Sequence, residues 1–265
     1  MKRSLFVIVM ISLFAIIFVS LYYYRWKPLW SYEDPRTFYS ISHHHDDTLR
    51  IVMIGDSWVG MRTDTLNNLF QQRLSAISGR PVILKSKGKG GEKSRGIYQL
   101  MFEDDGLGTK PLFTSGVDYC VVIAGINDSA ANLGINQFTH HMKLIIDFLL
   151  KNDVRPVLIE IPNVNIWNVY GGKPIKDLVV DFTRSLMTRC GMYHFPEYRE
   201  ALRLMLQDSK SSGPVIYVPM NGWNGKDYDL NKQLFLDDQV HLNQQGYIKM
   251  DSCIINAIMR DLQKL

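Results

Sequence analysis

Residues 51–60 read IVMIGDSWVG, an unbroken apolar run that ends on Gly55-Asp56-Ser57. Val, Ile and Met without polar alternation form a strand covered on both faces, which is the habit of parallel sheets. Comparable runs are LRIVMIG (49–55), PVILKS (81–86), VDYCVVIAG (117–125), RPVLIEIP (155–162) and PVIYVP (214–219). Amphipathic helical patterns fill the intervals, near 62–78, 94–104, 135–152, 175–190, 196–208 and 244–263. This alternation predicts an α/β fold: a central, mostly parallel five-stranded sheet sandwiched between helices. In such sheets ligands bind outside the carboxyl ends of the strands.

A formal charge of +4 and 46% hydrophobic residues describe a folded protein and exclude a disordered one. The excess of positive charge is too small to indicate nucleic acid. Cys120, Cys190 and Cys253 stand far apart without CxxC spacing, so neither a zinc site nor a disulfide framework is expected. Ahead of the domain, Lys2 and Arg3 precede the apolar run Leu5 to Tyr24, whose 20 residues would extend about 30 Å as a helix. Tyr22, Tyr23, Tyr24, Trp26 and Trp30 follow as an interfacial belt. A cleaved signal peptide is the rival reading, but bulky tyrosines occupy the positions where small residues would be cut. Residues 1–24 therefore read as a transmembrane anchor, 25–48 as a linker or stalk, and 49–265 as one domain. An N-terminal anchor ahead of a single domain places that domain outside the cytoplasm, although Lys2 and Arg3 are opposed by Arg25, Lys27 and Arg36. His43, His44 and His45 with Asp46 and Asp47 carry metal-type side chains, but adjacent residues do not converge on one ion without a scaffold. The linker is read as solvated and the protein as metal-free.

Four polar clusters should meet at the carboxyl edge of the sheet: GDS (55–57), SKGKGGEKS (86–94), GINDS (125–129) and DDQVHLNQQGY (237–247). Each alone has a plain structural reading, because Asp, Asn and Ser cap helices and fill turns. The second cluster is not a phosphate loop, since Glu92 stands where that motif requires glycine and its carboxylate would repel phosphate. Taken together they hold a nucleophile, a base, an orienting carboxylate and oxyanion donors. One turn from Asp238 to His241 lets the carboxylate accept from Nδ1 and turns Nε2 toward Ser57.

The blocks GDS, GxxG[DE] (Gly88, Gly91, Glu92), GxND and DxxH…N, in this order over essentially all of 49–265, resemble the SGNH (GDSL-like) hydrolase superfamily. The resemblance implies a flavodoxin-like three-layer α/β/α sandwich and ester hydrolysis without a cofactor. It also implies Ser57 as nucleophile, His241 as base and Asp238 as its orienting carboxylate. The backbone N–H groups of Ser57 and Gly91 and the side-chain amide of Asn127 would form the oxyanion hole, with Gly90 an alternative to Gly91. Trp58 stands where the family commonly has a smaller aliphatic residue, and Ser86 where it often has Asn.

Substrate signals are sparser. NVNIWNVYGGKP (163–174) and MNGWNGKDYDLNKQLFL (220–236) set Trp167, Tyr170, Trp223 and Tyr228 among Gly and Asn. Together with Trp58, these rings suit a sugar, whose C–H faces stack while its hydroxyls bond to amides; core packing is the alternative for each. Lys85, Lys87, Lys89, Lys93 and Arg95 make the second loop basic, as a solvated loop or as a surface for an acidic polymer. The expected function is a serine esterase removing O-acyl, above all O-acetyl, groups from cell-surface or extracellular polysaccharide. An O-acyltransferase and a non-catalytic carbohydrate-binding member of the same fold are the alternatives. Nothing in the sequence sets the oligomeric state.

Overall fold

In the computed structural model, β1 (Leu49–Gly55) lies inside the sheet, pairing in parallel with β2 (Val82–Gly88) on one side and β3 (Tyr119–Ile123) on the other. The order is completed by β4 (Arg155–Ile159) and β5 (Ile216–Val218) as β2-β1-β3-β4-β5, with every pair parallel. All residues of β3 are buried, and all of β1 except Arg50, as expected of strands covered on both faces. The described residues are 2–22, 36–165, 172, 174–208, 214–219, 223 and 227–264.

The chain forms two units, residues 1–36 and 37–265. In the first, helix α1 (Lys2–Leu21) contains a 19-residue span, Arg3–Leu21, long and apolar enough to cross a membrane. Membrane anchors and signal sequences share that length and composition.

In the second unit the strands alternate with α3 (Asp64–Ser78), α4 (Ser94–Leu100), α6 (Ile135–Lys151), α7 (Ile175–Thr188), α8 (Phe195–Asp208) and α10 (Gln244–Leu262). These match the predicted helices to within a few residues. Among the described residues, three short helices lie outside the expected elements: α2 (Ser57–Gly60), α5 (Ile126–Ala130) and α9 (Tyr228–Asn231). Thr63 starts α3 by accepting from the Leu66 N–H, and Gly79 ends it in the left-handed conformation. Helix α6 buries Phe138, Met142, Ile145, Ile146, Phe148 and Leu149, the i, i+4, i+7 stripe that its periodicity predicts. Each such side chain contributes about 1.5–3 kcal/mol by leaving water.

Residues 37–48, which the sequence reading assigns to a linker, pack against the domain. Tyr39 Oη donates to the Met101 carbonyl at 2.8 Å, and the Ile41 N–H to Asn152 Oδ1 at 2.8 Å. His44 Nε2 lies 3.1 Å from both carboxylate oxygens of Asp118. Its imidazole is thus engaged with a domain carboxylate, and no metal-type cluster of His, Cys, Asp and Glu occurs among the described residues.

Chain reversal around β1 positions the site. The polypeptide leaves β1 for β2 on one side and returns to β3 on the other, so a crevice opens between the carboxyl ends of β1 and β3. Helices α2 and α5 begin there.

Candidate active site

The nucleophile candidate opens α2 directly after β1. Asp56 caps that helix, its Oδ1 accepting the Trp58 N–H at 3.0 Å. The sharp turn needs close backbone approach: a Cβ on Gly88 would lie 2.4 Å from the Asp56 carbonyl oxygen, and one on Gly55 2.4 Å from that of Ile123. Below the turn, Arg62 forms a buried double contact with Asp251 of α10, at 2.8 and 3.1 Å. That pair ties the end of the nucleophile turn to the last helix.

The base arrives from the other end of the chain. His241 Nε2 lies 2.9 Å from Ser57 Oγ, and Nδ1 lies 2.6 Å from Asp238 Oδ2. Asp238 Oδ1 accepts the backbone N–H groups of Val240 and His241, each at 2.9 Å. Burial pushes the Asp238 carboxyl up, but the hydrogen bonds from His241 and Val240 outweigh it and hold the group below the usual carboxylate range. The turn is pinned from outside as well. Trp58 Nε1 donates to the Val240 carbonyl at 3.1 Å, and the Leu236 N–H to the His241 carbonyl at 2.7 Å. Asn243 caps α10 through Gly246 and donates to the Phe235 carbonyl at 3.1 Å.

Asn127, in α5, is buried and donates through Nδ2 to the Glu92 carbonyl at 2.9 Å and toward Asp56 Oδ2 at 3.3 Å. The amide therefore sits between the second loop and the nucleophile turn. Gly91 lies on that loop with φ of 70°, a left-handed conformation that glycine adopts without strain. The Lys89 N–H donates to the Gly55 carbonyl at 3.1 Å, joining the loop to the end of β1.

Two carboxylates beside the site were not singled out from sequence. Asp56 and Asp128 are both fully buried. Burial pushes Asp56 up to about 7; the Trp58 N–H partly opposes this, while the Asp128 charge adds to it. Burial likewise pushes Asp128 to about 6, against the bonds from Ser94 Oγ at 2.6 Å and Ser94 N–H at 3.0 Å. Asp128 thus secures the start of α4 and does not touch the triad candidates. Only the predicted burial of their neighbours hints at this behaviour; the residue types alone read as caps.

The aromatic expectations fare differently. Trp58 and Trp223 are buried and pack on each other with ring centroids 6.4 Å apart, and Trp58 also meets Phe235 at 6.2 Å. Neither offers an open face to a sugar, which corrects the expectation for these two: they form the packing beneath the histidine turn. Trp167 and Tyr170 lie outside the described residues. The basic loop is also less free than its composition suggests. Lys87 donates to the Gly108 carbonyl at 2.8 Å, Lys89 pairs with Glu92 at 2.8 Å and Lys93 donates to the Gly91 carbonyl at 2.9 Å.

A family model described as the GDSL-like Lipase/Acylhydrolase family matches residues 53–248. No curated protein matches the sequence. Solved structures share the fold at low identity. A lipase/acylhydrolase from Enterococcus faecalis is 16% identical over 79% of this chain and 95% of its own, with a TM-score of 0.58. An acetyl xylan esterase from Geobacillus stearothermophilus is 13% identical over 79% and 94%, with a TM-score of 0.54. A family 3 carbohydrate esterase from Clostridium thermocellum is 15% identical over 82% and 98%, with a TM-score of 0.54.

Proposed function

The chain belongs to the GDSL-like lipase/acylhydrolase family and is an SGNH-type ester hydrolase, and from that premise we propose that it removes O-acetyl groups from cell-surface or extracellular polysaccharide by a Ser57-His241-Asp238 triad. The continuous hydrogen-bonded chain from Ser57 Oγ through the imidazole to Asp238 is the observation that carries this reading.

A serine hydroxyl is a poor nucleophile until a base takes its proton. Here Nε2 is placed to accept that proton as Oγ attacks the ester carbonyl, and Asp238 stabilises the imidazolium that results. Charge collecting on the carbonyl oxygen is met by the N–H groups of Ser57 and Gly91 and by Asn127 Nδ2. The longer of the two Asn127 contacts, to Asp56, is the one available for redirection toward the oxyanion. The imidazolium then protonates the departing sugar oxygen, leaving an acyl-serine. Water, deprotonated by the same histidine, releases acetate and restores the hydroxyl.

Support for a carbohydrate substrate comes from a groove of about 440 Å³ in which Asn163, Asn165, Tyr193, His194, Tyr228 and Asp229 alternate with Val164, Phe195 and Pro196. Asn165 is joined to Gln239, within the histidine turn, through side chain and backbone. Such a mixed lining suits a sugar, whose hydroxyls the amides, phenols and carboxylate can meet while its C–H faces lie on the apolar side chains. Two of the similar structures are themselves carbohydrate esterases. The apolar α1 supports membrane tethering; that the domain lies outside the cytoplasm is part of the proposal and rests on the placement of an anchor ahead of a single domain.

The deciding experiment compares the full-length protein with Ser57→Ala on 4-nitrophenyl acetate and on native acetylated polysaccharide. Turnover should fall by at least about 1,000-fold, and fluorophosphonate labelling of the parent should vanish in the variant. Retained turnover in Ser57→Ala would take this serine out of the chemistry.

A further inference from the structure

Helix α7 is turned inside out. Its residues Ile175, Val179, Phe182 and Leu186 recur at spacings of four, three and four, which puts them on one face of the helix. That apolar face points to solvent: the four residues are 80%, 56%, 54% and 62% exposed. The polar face is the one that docks. Asp181 is buried and accepts from Tyr193 Oη at 2.8 Å, while Arg184 donates to the Ala131 carbonyl at 3.1 Å. Thr188 lies against Gly134, where an added Cβ would meet its methyl at 2.9 Å. Water alone would not select this orientation, because an amphipathic helix lowers its free energy by burying the opposite side.

We propose that this stripe is a docking surface for the lipid bilayer, sitting in the headgroup–acyl boundary. Three observations favour lipid over protein. First, the chain carries its own apolar span, Arg3–Leu21. Only residues 22–36 separate that span from the domain, a reach of at most about 50 Å, so a tethered domain never leaves the neighbourhood of the bilayer. Second, the stripe is about 16 Å long and presents on the order of 400 Å² of apolar surface. That is roughly half of what each partner in a stable protein interface buries, but it matches the one-sided insertion of an interfacial helix. Third, exposed Lys176 and Arg189 stand at the two ends of the stripe, where cations meet anionic headgroups.

The consequence for catalysis is positional. Ala131 and Gly134, on which α7 rests, directly follow α5, the helix that carries Asn127. Docking through α7 therefore holds the catalytic edge of the sheet close to the membrane surface and favours esters presented there over soluble ones. This inference rests on membrane tethering and on the proposed site only for its consequence; the docking itself is independent of Ser57.

The test places the photo-crosslinker p-benzoylphenylalanine at position 182 of the full-length protein in vesicles of phosphatidylcholine with a minority of phosphatidylglycerol. The same group at Ile77, an exposed apolar position on α3, is the control. Illumination should yield protein–phospholipid adducts at 182 about tenfold above those at 77. A covalent dimer would identify a second copy as the occupant, an internal crosslink would identify another segment of this chain, and equal adducts at both positions would show no docking; each overturns the proposal. An unchanged thermal melt excludes misfolding. Fluorophosphonate labelling of the same sample tests the serine separately, so the two readings can fail independently.

Discussion

Replacing Asp238 by asparagine separates the two tasks that its carboxylate performs. Oδ2 accepts the proton on Nδ1 of His241, and Oδ1 accepts two backbone N–H groups that shape the turn. In Asp238→Asn the remaining oxygen can keep the two backbone bonds, while the amide nitrogen faces Nδ1 as a donor. Nδ1 must then be the unprotonated nitrogen, which moves the ring proton to Nε2 and points it at Ser57 Oγ. The hydroxyl loses its base without any loss of geometry. An inverted tautomer of this kind costs about 10,000-fold in kcat, or about 5.4 kcal/mol at 1.36 kcal/mol per tenfold. Stability should change by less than about 1 kcal/mol, because the turn bonds survive.

Asp238→Ala removes both tasks. Its kcat should fall about as far, since the base is again unoriented, but the unfilled N–H groups of Val240 and His241 should add about 1–3 kcal/mol of destabilisation. Steady-state hydrolysis of 4-nitrophenyl acetate and urea unfolding of both variants provide the measurements. Asp238→Asn with kcat within tenfold of the parent would refute the assignment of the carboxylate. So would equal destabilisation by the two substitutions, because the turn bonds would then contribute nothing.

Asn127→Ala should lower kcat by about 100- to 1,000-fold with little change in KM, because the amide is needed where charge develops; a change confined to KM would place Asn127 in substrate binding instead. Asp56 makes a pH prediction. Its folded carboxyl titrates at about 7, above the roughly 3.9 of an unfolded aspartate, so between those values the folded state binds the extra proton and stability falls as pH rises. Asp56→Asn, which can still cap Trp58, should flatten that decline, gaining on the parent from about pH 4 to pH 7; parallel stability curves would contradict the burial argument.

The sheet was legible because strands covered on both faces need continuous apolar runs, and those runs mark themselves against amphipathic neighbours. Their ends were less legible. VDYCVVIAG suggests a strand to 125, yet β3 stops at Ile123 because Gly125 turns with φ of 114° under Ile161. RPVLIEIP overshoots in the same way, since Ile161 is buried by packing and not by pairing. The short helices α2 and α5 complete scarcely one turn, too little for a period to show. The meeting of Ser57, His241 and Asp238 was legible by type and order, because acyl transfer needs a fixed set of groups. Exposure was not: a tryptophan reads alike as sugar platform or as packing, and Trp58 and Trp223 turned out to be packing. Helix α7 shows the same limit, since periodicity establishes an amphipathic helix without saying which face is buried.

Packing also bears on whether the acyl group ends on water or on another alcohol. None of the catalytic candidates is held by the chemistry it would perform. His241 is fixed by a turn that Trp58 grips through the Val240 carbonyl, Asn127 by the Glu92 carbonyl, and the second loop by the bond from Lys89 to Gly55. Ser57 and His241 are therefore at reacting distance before any ester arrives, and little reorganisation remains to be driven by substrate binding. A site assembled in advance forms its acyl-serine regardless of which acceptor follows. Hydrolysis and transfer then share every step up to that intermediate and diverge only in what occupies the space before Nε2. The side chains of His241 and Asp238 are partly exposed, which admits water by default. Transfer would require a sugar hydroxyl to displace that water and hold its place for the lifetime of the acyl-serine. A choice between the two outcomes would therefore be made by whatever holds that hydroxyl, and not by the triad candidates.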